Sequence, residues 1–161
     1  MGTSYGPGLV VIVGCGKNKQ NYPTAIADLY TGTYQRRAVA WARSMRARLF
    51  ILSSAHGLVH GDVVTAPYEA TLASSSYANT PVAATHPPVS AAKVRGQVMS
   101  YGLRGPVILL AGATYKALLV EAAGDRVQPV NPFADEAVRR GWDRRNGYQL
   151  KLMGEYLGRM P

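Results

Sequence analysis

The sequence predicts an α/β fold in which a mainly parallel sheet lies between two layers of helices. Apolar, β-branched runs alternate along the chain with segments of helical periodicity, and strands joined by helices form right-handed parallel crossovers. The length of 161 residues is sufficient for one hydrophobic core. Because no internal repeat or linker interrupts the chain, we expect residues 1–161 to form a single domain.

The first half of the chain contains two predicted strands and the helix between them. Residues 8–14 form an apolar run bounded by glycines, and residues 48–52 form a second apolar run. Runs of this length are typical of strands that are buried on both faces. Residues 34–46 place small apolar side chains and arginines at helical spacing, which predicts an amphipathic helix that covers the sheet.

The second half begins with a segment that has no regular pattern. Residues 70–88 are rich in Ala, Ser, Thr and Pro, so we expect a long loop or lid. Proline cannot donate a backbone hydrogen bond, which places the strand containing Pro129 at an edge. The predicted elements are a helix over 88–101, a strand over 107–111, a helix ending at Ala123, an edge strand over 126–130, a loop with a brief helical turn over 131–141, and a basic C-terminal helix over 142–159.

The charge balance indicates a polyanionic partner. Lys and Arg number 18 against 9 Asp and Glu, a formal net charge of +9. Such an excess favours a nucleic acid, because cationic side chains release counterions from phosphates. The alternative is a surface charged for solubility. The residues that we expect to contact the nucleic-acid backbone are Arg139, Arg140, Arg144, Arg145 and Lys151.

The cysteine count and the distribution of apolar residues limit the compartment and the cofactors. Cys15 is the single cysteine, which excludes an internal disulfide framework and a multi-cysteine zinc site. The N-terminus lacks the pattern of a signal peptide, and no apolar run approaches the roughly 20 residues of a membrane helix. We therefore expect a cytoplasmic protein with no membrane partner and no cofactor.

Polar residues follow three of the predicted strands. The carboxyl ends of parallel strands share one edge of a sheet, where α/β proteins bind ligands. Residues 14–19, 53–62 and 112–115 should therefore lie together, with Thr114 or Tyr115 at a helix N-terminus that favours anions. His56 is the central candidate, as a general acid or base, as an electrophile, or as a structural histidine bonded to the backbone.

Three carboxylates are candidates for activating water or stabilising a cationic transition state. They are Asp28, Asp62 and Glu69, each of which also suits a turn or a helix cap. Cys15 is a candidate nucleophile, although a small buried hydrophobic residue is the more common role. The spacing of His56, His60 and Asp62 matches no defined metal site, so no metal is predicted, and His60 is expected at the surface.

Five short motifs in the same order resemble those of a family of small bacterial and phage proteins. The motifs are Cys15-Gly16-Lys17, Ala27-Asp28-Leu29-Tyr30-Thr31-Gly32, residues 52–59 (LSSAHGLV), residues 66–69 (APYE) and residues 146–150 (NGYQL). That family is distantly similar to the YaaA-like DNA-binding proteins and to the uracil-DNA-glycosylase-like module of archaeosine-type enzymes. The resemblance implies a uracil-DNA-glycosylase-like fold.

The resemblance also implies an enzyme that acts on the N-glycosidic bond of a nucleobase, as a glycosylase or transglycosylase on modified or damaged DNA. Such a reaction needs hydrogen-bond donors for the base and a carboxylate for the sugar. His56 and Lys17 are candidate donors, Asp28 or Asp62 would serve the sugar, and Tyr30 or Tyr68 would stack on the base or remain core residues. The further substrate-binding candidates are Cys15, Gly16, Lys19, Thr31, Arg36 and Glu69.

Two other functions fit the same residues. A nucleic-acid-binding protein without catalysis would need only the basic charge. An enzyme that acts on a free nucleotide or phosphosugar would use the loop at residues 14–19 for phosphate.

Overall fold

The computed structural model describes residues 8–69 and 88–159, which contain a five-stranded sheet and a small two-stranded sheet. Continuous apolar runs form the three central strands because both of their faces are covered. The strands are β1 (Val10–Gly14), β2 (Thr24–Ala25), β3 (Arg48–Ser53), β4 (Gly57–His60), β5 (Val64–Thr65), β6 (Gly105–Leu110) and β7 (Val127–Val130).

The order of the large sheet is β4-β3-β1-β6-β7. The pairs β3–β1, β1–β6 and β6–β7 are parallel, while β4 pairs with β3 in the antiparallel sense. The smaller sheet joins β2 and β5 in antiparallel fashion. The predicted α/β fold with a mainly parallel sheet is therefore confirmed.

Six α-helices lie within the described residues. They are α1 (Ile26–Leu29), α2 (Thr33–Ser44), α3 (Ala91–Ser100), α4 (Ala113–Ala123), α5 (Pro132–Arg139) and α6 (Asn146–Gly158). None of the helices in residues 8–69 and 88–159 is long and apolar enough to cross a membrane.

Helices cover both faces of the large sheet. Alternate residues of a strand point to opposite faces, so Val11 and Val13 pack with α2, α5 and α6, whereas Val10 and Ile12 pack with α3 and α4. Trp41 of α2 is fully buried and meets Phe133 of α5 edge to face, with ring centroids 4.9 Å apart. The sheet is thus the middle of three layers.

Most of the predicted elements are present, and three differ. Residues 53–62 are not one loop, because Gly57–His60 adds to the sheet as β4 and leaves a turn of only Ser54, Ala55 and His56. Residues 131–141 contain the two-turn helix α5 rather than a brief turn. The last helix begins at Asn146, about one turn later than expected. The predicted loop at residues 70–88 lies outside the described residues except for Pro88.

Candidate functional site

The carboxyl ends of β1 and β3 are neighbours in parallel register, with Gly14 opposite Leu52. The backbone N–H of Cys15 extends this pairing by donating to the carbonyl oxygen of Leu52 at 3.1 Å. The turns that follow the two strands are therefore side by side. Side chains of these turns meet three tyrosines from other segments and form the strand-end cluster, which consists of Cys15, Lys19, Tyr30, Ser53, Ser54, His56, Tyr68 and Tyr115.

Cys15 joins the ends of three strands. Its Sγ lies 2.9 Å from the Tyr115 hydroxyl, which follows β6, and 3.6 Å from Ser54 Oγ, which follows β3. A side chain at Gly14 is excluded, since its Cβ would lie 2.7 Å from the Cβ of Ala111. The close approach of β1 and β6 thus places Tyr115 within reach of Cys15, as the strand-end argument predicts.

Two buried tyrosines form the floor of the cluster. The hydroxyls of Tyr30 and Tyr68 are hydrogen-bonded to each other, and Ser53 Oγ donates to the Tyr68 hydroxyl at 2.7 Å. Ser53 Oγ also accepts the backbone N–H of His56 at 3.0 Å. Burial raises the pKa of Tyr30 and of Tyr68 well above the usual value for tyrosine. Both phenols are therefore neutral hydrogen-bonding groups throughout the physiological pH range.

His56 occupies the turn between β3 and β4. Its ring meets Tyr68 edge to face, with the centroids 4.7 Å apart. The side chain of Gln97 from α3 holds this turn, donating from Nε2 to the His56 carbonyl at 2.9 Å and accepting the Leu58 N–H at 2.8 Å. Gly57 is required between them, because its φ is +75° and an added Cβ would lie 2.2 Å from Gln97 Oε1.

An apolar hollow adjoins His56. Its volume is about 410 Å³, within the range of small-molecule sites. His56 is the one titratable side chain among the residues that line it, which are His56, Val59, Val63, Val64, Thr65, Ala66 and Pro67. The histidine is therefore common to the polar cluster and to a space large enough for a planar ring.

Lys19 is half-buried in the cluster. Its backbone pairs with Tyr30 in an isolated antiparallel bridge, which fixes the start of the side chain. Nζ lies 4.7 Å from the ring centroid of Tyr68 and donates to the carbonyl oxygen of Lys17 at 3.1 Å. Burial lowers the pKa of Lys19, and the nearby Cys15 and Glu69 partly oppose that shift.

Two of the predicted catalytic carboxylates are engaged elsewhere. The carboxylate of Asp28 accepts two hydrogen bonds from Arg43, at 2.7 and 3.0 Å, and hydrogen bonding from Arg43 is the main cause of its lowered pKa. Asp62 has a side chain that is 87% exposed and lies 3.9 Å from His60 Nδ1. Within residues 8–69 and 88–159, neither carboxylate bonds to a member of the strand-end cluster. The structure therefore joins neither Asp28 nor Asp62 to His56 by a hydrogen bond, and their catalytic role stays a prediction.

The other predicted binding residues surround the cluster at different depths. Lys17 and Glu69 are exposed, and Glu69 directly follows Tyr68. The Thr31 N–H donates to the Asn18 carbonyl at 3.0 Å, which ties its segment to the loop after β1. Gly16 packs against the side chain of Gln35, since its Cβ would lie 3.0 Å from that amide. Arg36 lines a hollow together with Asp28, Arg43 and the cluster member Tyr30.

The predicted basic surface is largely paired with acids. Glu136 accepts from Arg139 at 2.6 Å and from Arg140 at 3.0 Å, and Arg144 bonds Asp135 at 2.7 Å. Arg145 pairs with Asp143. Lys151 instead places Nζ 4.9 Å from the ring centroid of Trp142. Four of these five cations are therefore paired with carboxylates, and their role in binding a nucleic-acid backbone stays a prediction.

A second cavity, of about 600 Å³, opens beyond the carboxyl ends of β6 and β7. Polar side chains that line this cavity are hydrogen-bonded within the protein. Gln149 Oε1 accepts from the Tyr34 hydroxyl at 2.7 Å and from Asn131 Nδ2 at 3.0 Å. Lys116 and Arg144 are the cations at its rim. No group of three His, Cys, Asp or Glu side chains within the described part of the chain is arranged to hold a metal ion.

The fold and the cluster together define a small α/β protein with a ligand-sized site at the carboxyl edge of its sheet. The chain belongs to a family of unknown function, DUF6884, whose model matches residues 10–137. That match includes all members of the strand-end cluster and ends before α6. No curated protein and no solved structure matches the chain.

Sequence reasoning missed two residues that shape the site, Gln97 and Gln35. Both are polar helical residues of a kind that usually faces solvent. Gln97 instead bonds the turn at His56, and Gln35 packs against Gly16 in the loop after β1. Gln97 reaches residues about 40 positions earlier. A single sequence carries no signal for such a contact, because helix periodicity shows only which face is buried.

Proposed function

We propose that the protein binds a nucleobase of DNA and cleaves its N-glycosidic bond, as a glycosylase or transglycosylase with a uracil-DNA-glycosylase-like fold. The observation that carries the proposal is the position of His56, which borders both the polar strand-end cluster and the apolar hollow of about 410 Å³. A base turned out of the helix needs an apolar slot with a few polar groups at its edge.

The chemistry divides between two sides of the scissile bond. Breaking the bond places negative charge on the departing base and positive charge on the sugar. His56 and the ammonium of Lys19 are the donors on the base side. Glu69 takes the sugar side in place of Asp28 and Asp62, because it is exposed and close enough to Lys19 to influence its pKa. The two neutral phenols hold the arrangement without adding charge.

The order of the sequence motifs supports the same proposal. The segments that resemble the YaaA-like and glycosylase-like proteins supply Cys15, Tyr30, His56 and Tyr68, which are all members of the cluster. Residues of four separate motifs thus share one site. That arrangement is what a common reaction centre requires, whereas a purely structural role would not need the motifs to meet.

A pair of histidines gives the matched test. Oligonucleotides that carry a panel of modified bases are incubated with the protein, and released bases are measured by mass spectrometry. His56→Ala should lower the release rate by about 10²-fold or more, the usual effect of removing a general acid or base. His60→Ala is the control, since His60 is four residues away on β4 and lies outside the cluster.

DNA binding is measured for both variants at moderate salt, so that loss of binding is separated from loss of chemistry. Equal rates for the two variants would contradict the role of His56. Absence of any released base from the whole panel, with the wild-type protein bound, would overturn the enzymatic proposal.

A nucleic-acid-binding protein without catalysis is the second candidate, and the distribution of unpaired cations favours it. Lys93, Arg104 and Lys116 around α3 and α4 form no ion pair with any residue in 8–69 or 88–159, and neither do Arg36, Arg37, Arg46 and Arg48 around α2. Positive charge without a paired acid therefore lies on both helical layers. Affinity that falls steeply with salt, together with no base release, would select this function.

An enzyme that acts on a free nucleotide or phosphosugar is the third candidate. The cavity beyond β6 and β7 supports it, since its volume of about 600 Å³ suits a mononucleotide and Lys116 stands at its rim. Thermal stabilisation by mononucleotides but not by oligonucleotides, lost in Lys116→Ala, would select it over the other two.

A further inference from the structure

Arg46 adopts a backbone conformation that favours glycine. Its φ is +54°, and it is the one residue other than glycine with a positive φ in residues 8–69 and 88–159. A side chain in this left-handed region is strained, because its Cβ approaches the following carbonyl oxygen. Arg46 follows the last turn of α2, whereas the ends of α3, α4 and α5 each have a glycine with positive φ, namely Gly102, Gly124 and Gly141. The end of α2 therefore holds a strained arginine where three other helices have glycine.

No local contact accounts for an arginine at this position. Arg46 is exposed, and its guanidinium forms no hydrogen bond or ion pair with another described residue. The dipole of α2 does not require it, because Arg43 already places a cation in the last turn. Strained residues of this kind are common at functional positions. The guanidinium of Arg46 is thus available to a partner.

Three more arginines lie near Arg46 at the amino edge of the large sheet, where its parallel strands begin. Arg48 is the first residue of β3. Arg104 and Arg126 directly precede β6 and β7, whose first residues are register partners. We call Arg46, Arg48, Arg104 and Arg126 the arginine row. Neighbouring strands are about 4.8 Å apart, so the row extends over about 14 Å from β3 to β7.

Hydrogen bonds to one turn position the middle of the row. Arg48 Nη2 donates to the carbonyl oxygen of Tyr101 at 3.2 Å, and Arg126 Nε donates to that of Leu103 at 3.0 Å. Both guanidiniums therefore border the turn that leads from α3 to Arg104, whose own side chain is exposed. A guanidinium has five N–H donors, so most donors of the row are not used by these two bonds.

The arrangement fits a line of phosphates. No arginine of the row forms an ion pair with a described carboxylate, although Asp125 is adjacent to Arg126 in the chain. Guanidinium groups match the geometry of phosphate oxygens and bind them through paired hydrogen bonds. Cations spaced along an edge match the regularly repeated charge of a nucleic-acid strand better than a single phosphate group.

We propose that the arginine row binds the phosphate backbone of duplex DNA, as a nucleic-acid contact separate from the strand-end cluster. The row and the cluster lie at opposite ends of β3, which has six residues and is about 17 Å long. The inference rests on the proposed function for DNA as the partner, but it needs no catalysis. The protein then holds DNA at one edge of the sheet while the other edge carries the proposed reaction.

Arg46→Gly tests the inference because stability and binding should change in opposite directions. Glycine relieves the backbone strain, so Tm should rise by about 1–4 °C. Fluorescence anisotropy measures affinity for a short unmodified duplex from about 0.05 to 0.2 M salt. Affinity should fall about eightfold at about 0.1 M salt, and the slope of log K against log salt should decrease by about one. Arg104→Ala should lose binding to the same extent with Tm unchanged.

Arg37→Ala is the matched control. It removes the same charge from α2, but its guanidinium bonds the Leu150 carbonyl at 3.0 Å, beside α6, so the wild-type salt slope should be kept. A loss of slope in Arg46→Gly no larger than in Arg37→Ala, or a lower Tm for Arg46→Gly, would overturn the inference. Binding to phosphatidylserine vesicles that Arg46→Gly abolishes, with DNA affinity unchanged, would assign the row to a membrane surface instead.

Base release separates this inference from the proposed reaction. With saturating modified DNA, Arg46→Gly should release base at the wild-type rate, because the row lies at the opposite edge of the sheet from His56. DNA binding that depends on the row, without base release from any modified oligonucleotide, would contradict the proposed reaction alone. Base release by a wild-type protein whose DNA affinity is unchanged in both Arg46→Gly and Arg104→Ala would contradict the role of the row alone.

Discussion

Gln97 controls the turn that carries His56, and its removal should have a measurable cost. β4 is an edge strand. The carbonyl group of His56, which directly precedes β4, and the N–H group of Leu58 therefore have no neighbouring strand to bond on their outer side. The amide of Gln97 satisfies both, at 2.9 and 2.8 Å. It therefore takes the place that a peptide group of a sixth strand would occupy.

The expected loss of stability on removing Gln97 follows from these two hydrogen bonds. A hydrogen bond contributes about 1 kcal/mol net, and an unsatisfied buried group costs about 1–3 kcal/mol. The Leu58 side chain is fully buried, which restricts water at its N–H. Gln97→Ala should lower the free energy of unfolding by about 2–3 kcal/mol, which for a chain of this length is a decrease in Tm of about 4–12 °C.

Gln128 supplies a matched control. Its side chain is exposed and donates one hydrogen bond, to the Asp125 carbonyl at 2.8 Å, on the opposite edge of the sheet. Gln128→Ala should change the free energy of unfolding by less than about 0.5 kcal/mol. Urea and thermal denaturation measure both variants. A destabilisation by Gln97→Ala no larger than that by Gln128→Ala would refute this account of the turn.

Three further predictions concern the cluster and its surroundings. Tyr68→Phe should destabilise the protein by about 2–3 kcal/mol and Tyr30→Phe by about 1 kcal/mol, because Tyr68 bonds both Tyr30 and Ser53; urea denaturation that reverses this order would contradict the network. Asp28→Asn should cost less than about 1 kcal/mol, since the pair with Arg43 is half-exposed, and base release should be unchanged; a loss of release would restore Asp28 as a catalytic candidate. Arg139 and Arg140 lower the pKa of Glu136 from 4.5 to about 2, so its stabilisation is complete above pH 4.5 and is lost as pH falls through about 2. The Tm difference between wild type and Glu136→Gln should therefore shrink over that interval.

The central strands were predictable because their environment is uniform. β1, β3 and β6 are covered on both faces, so continuous apolar runs mark them in the sequence. The position of the site followed from topology, since parallel strands bring the ends after Gly14 and Ser53 to one edge. The strand β4 was missed because it is an edge strand of four residues that begins with a glycine.

The partner of one predicted carboxylate was not visible in the sequence. The sequence places Asp28 within a distinctive motif, but the fold brings Arg43 of the next helix beside it and forms a bidentate pair. Two arginines that precede the last predicted helix gave a signal that sequence reasoning did not use. Glu136 precedes Arg139 and Arg140 by three and four positions, the spacing at which helical side chains meet.

The arginine–carboxylate pairs distinguish two groups of cations in this protein. Four arginines near the C-terminal end are paired with adjacent acids, whereas Lys93, Arg104 and Lys116, like Arg36 and Arg46, form no ion pair within the described residues. The strand-end cluster contributes little to that attraction, since its phenols are neutral and Lys19 is half-buried. Under the proposed function, a reaction centre at this cluster would not need to hold a high charge. Because electrostatic attraction acts over a long range and catalysis depends on local contacts, nucleic-acid attraction and the proposed reaction can occupy different parts of one small protein.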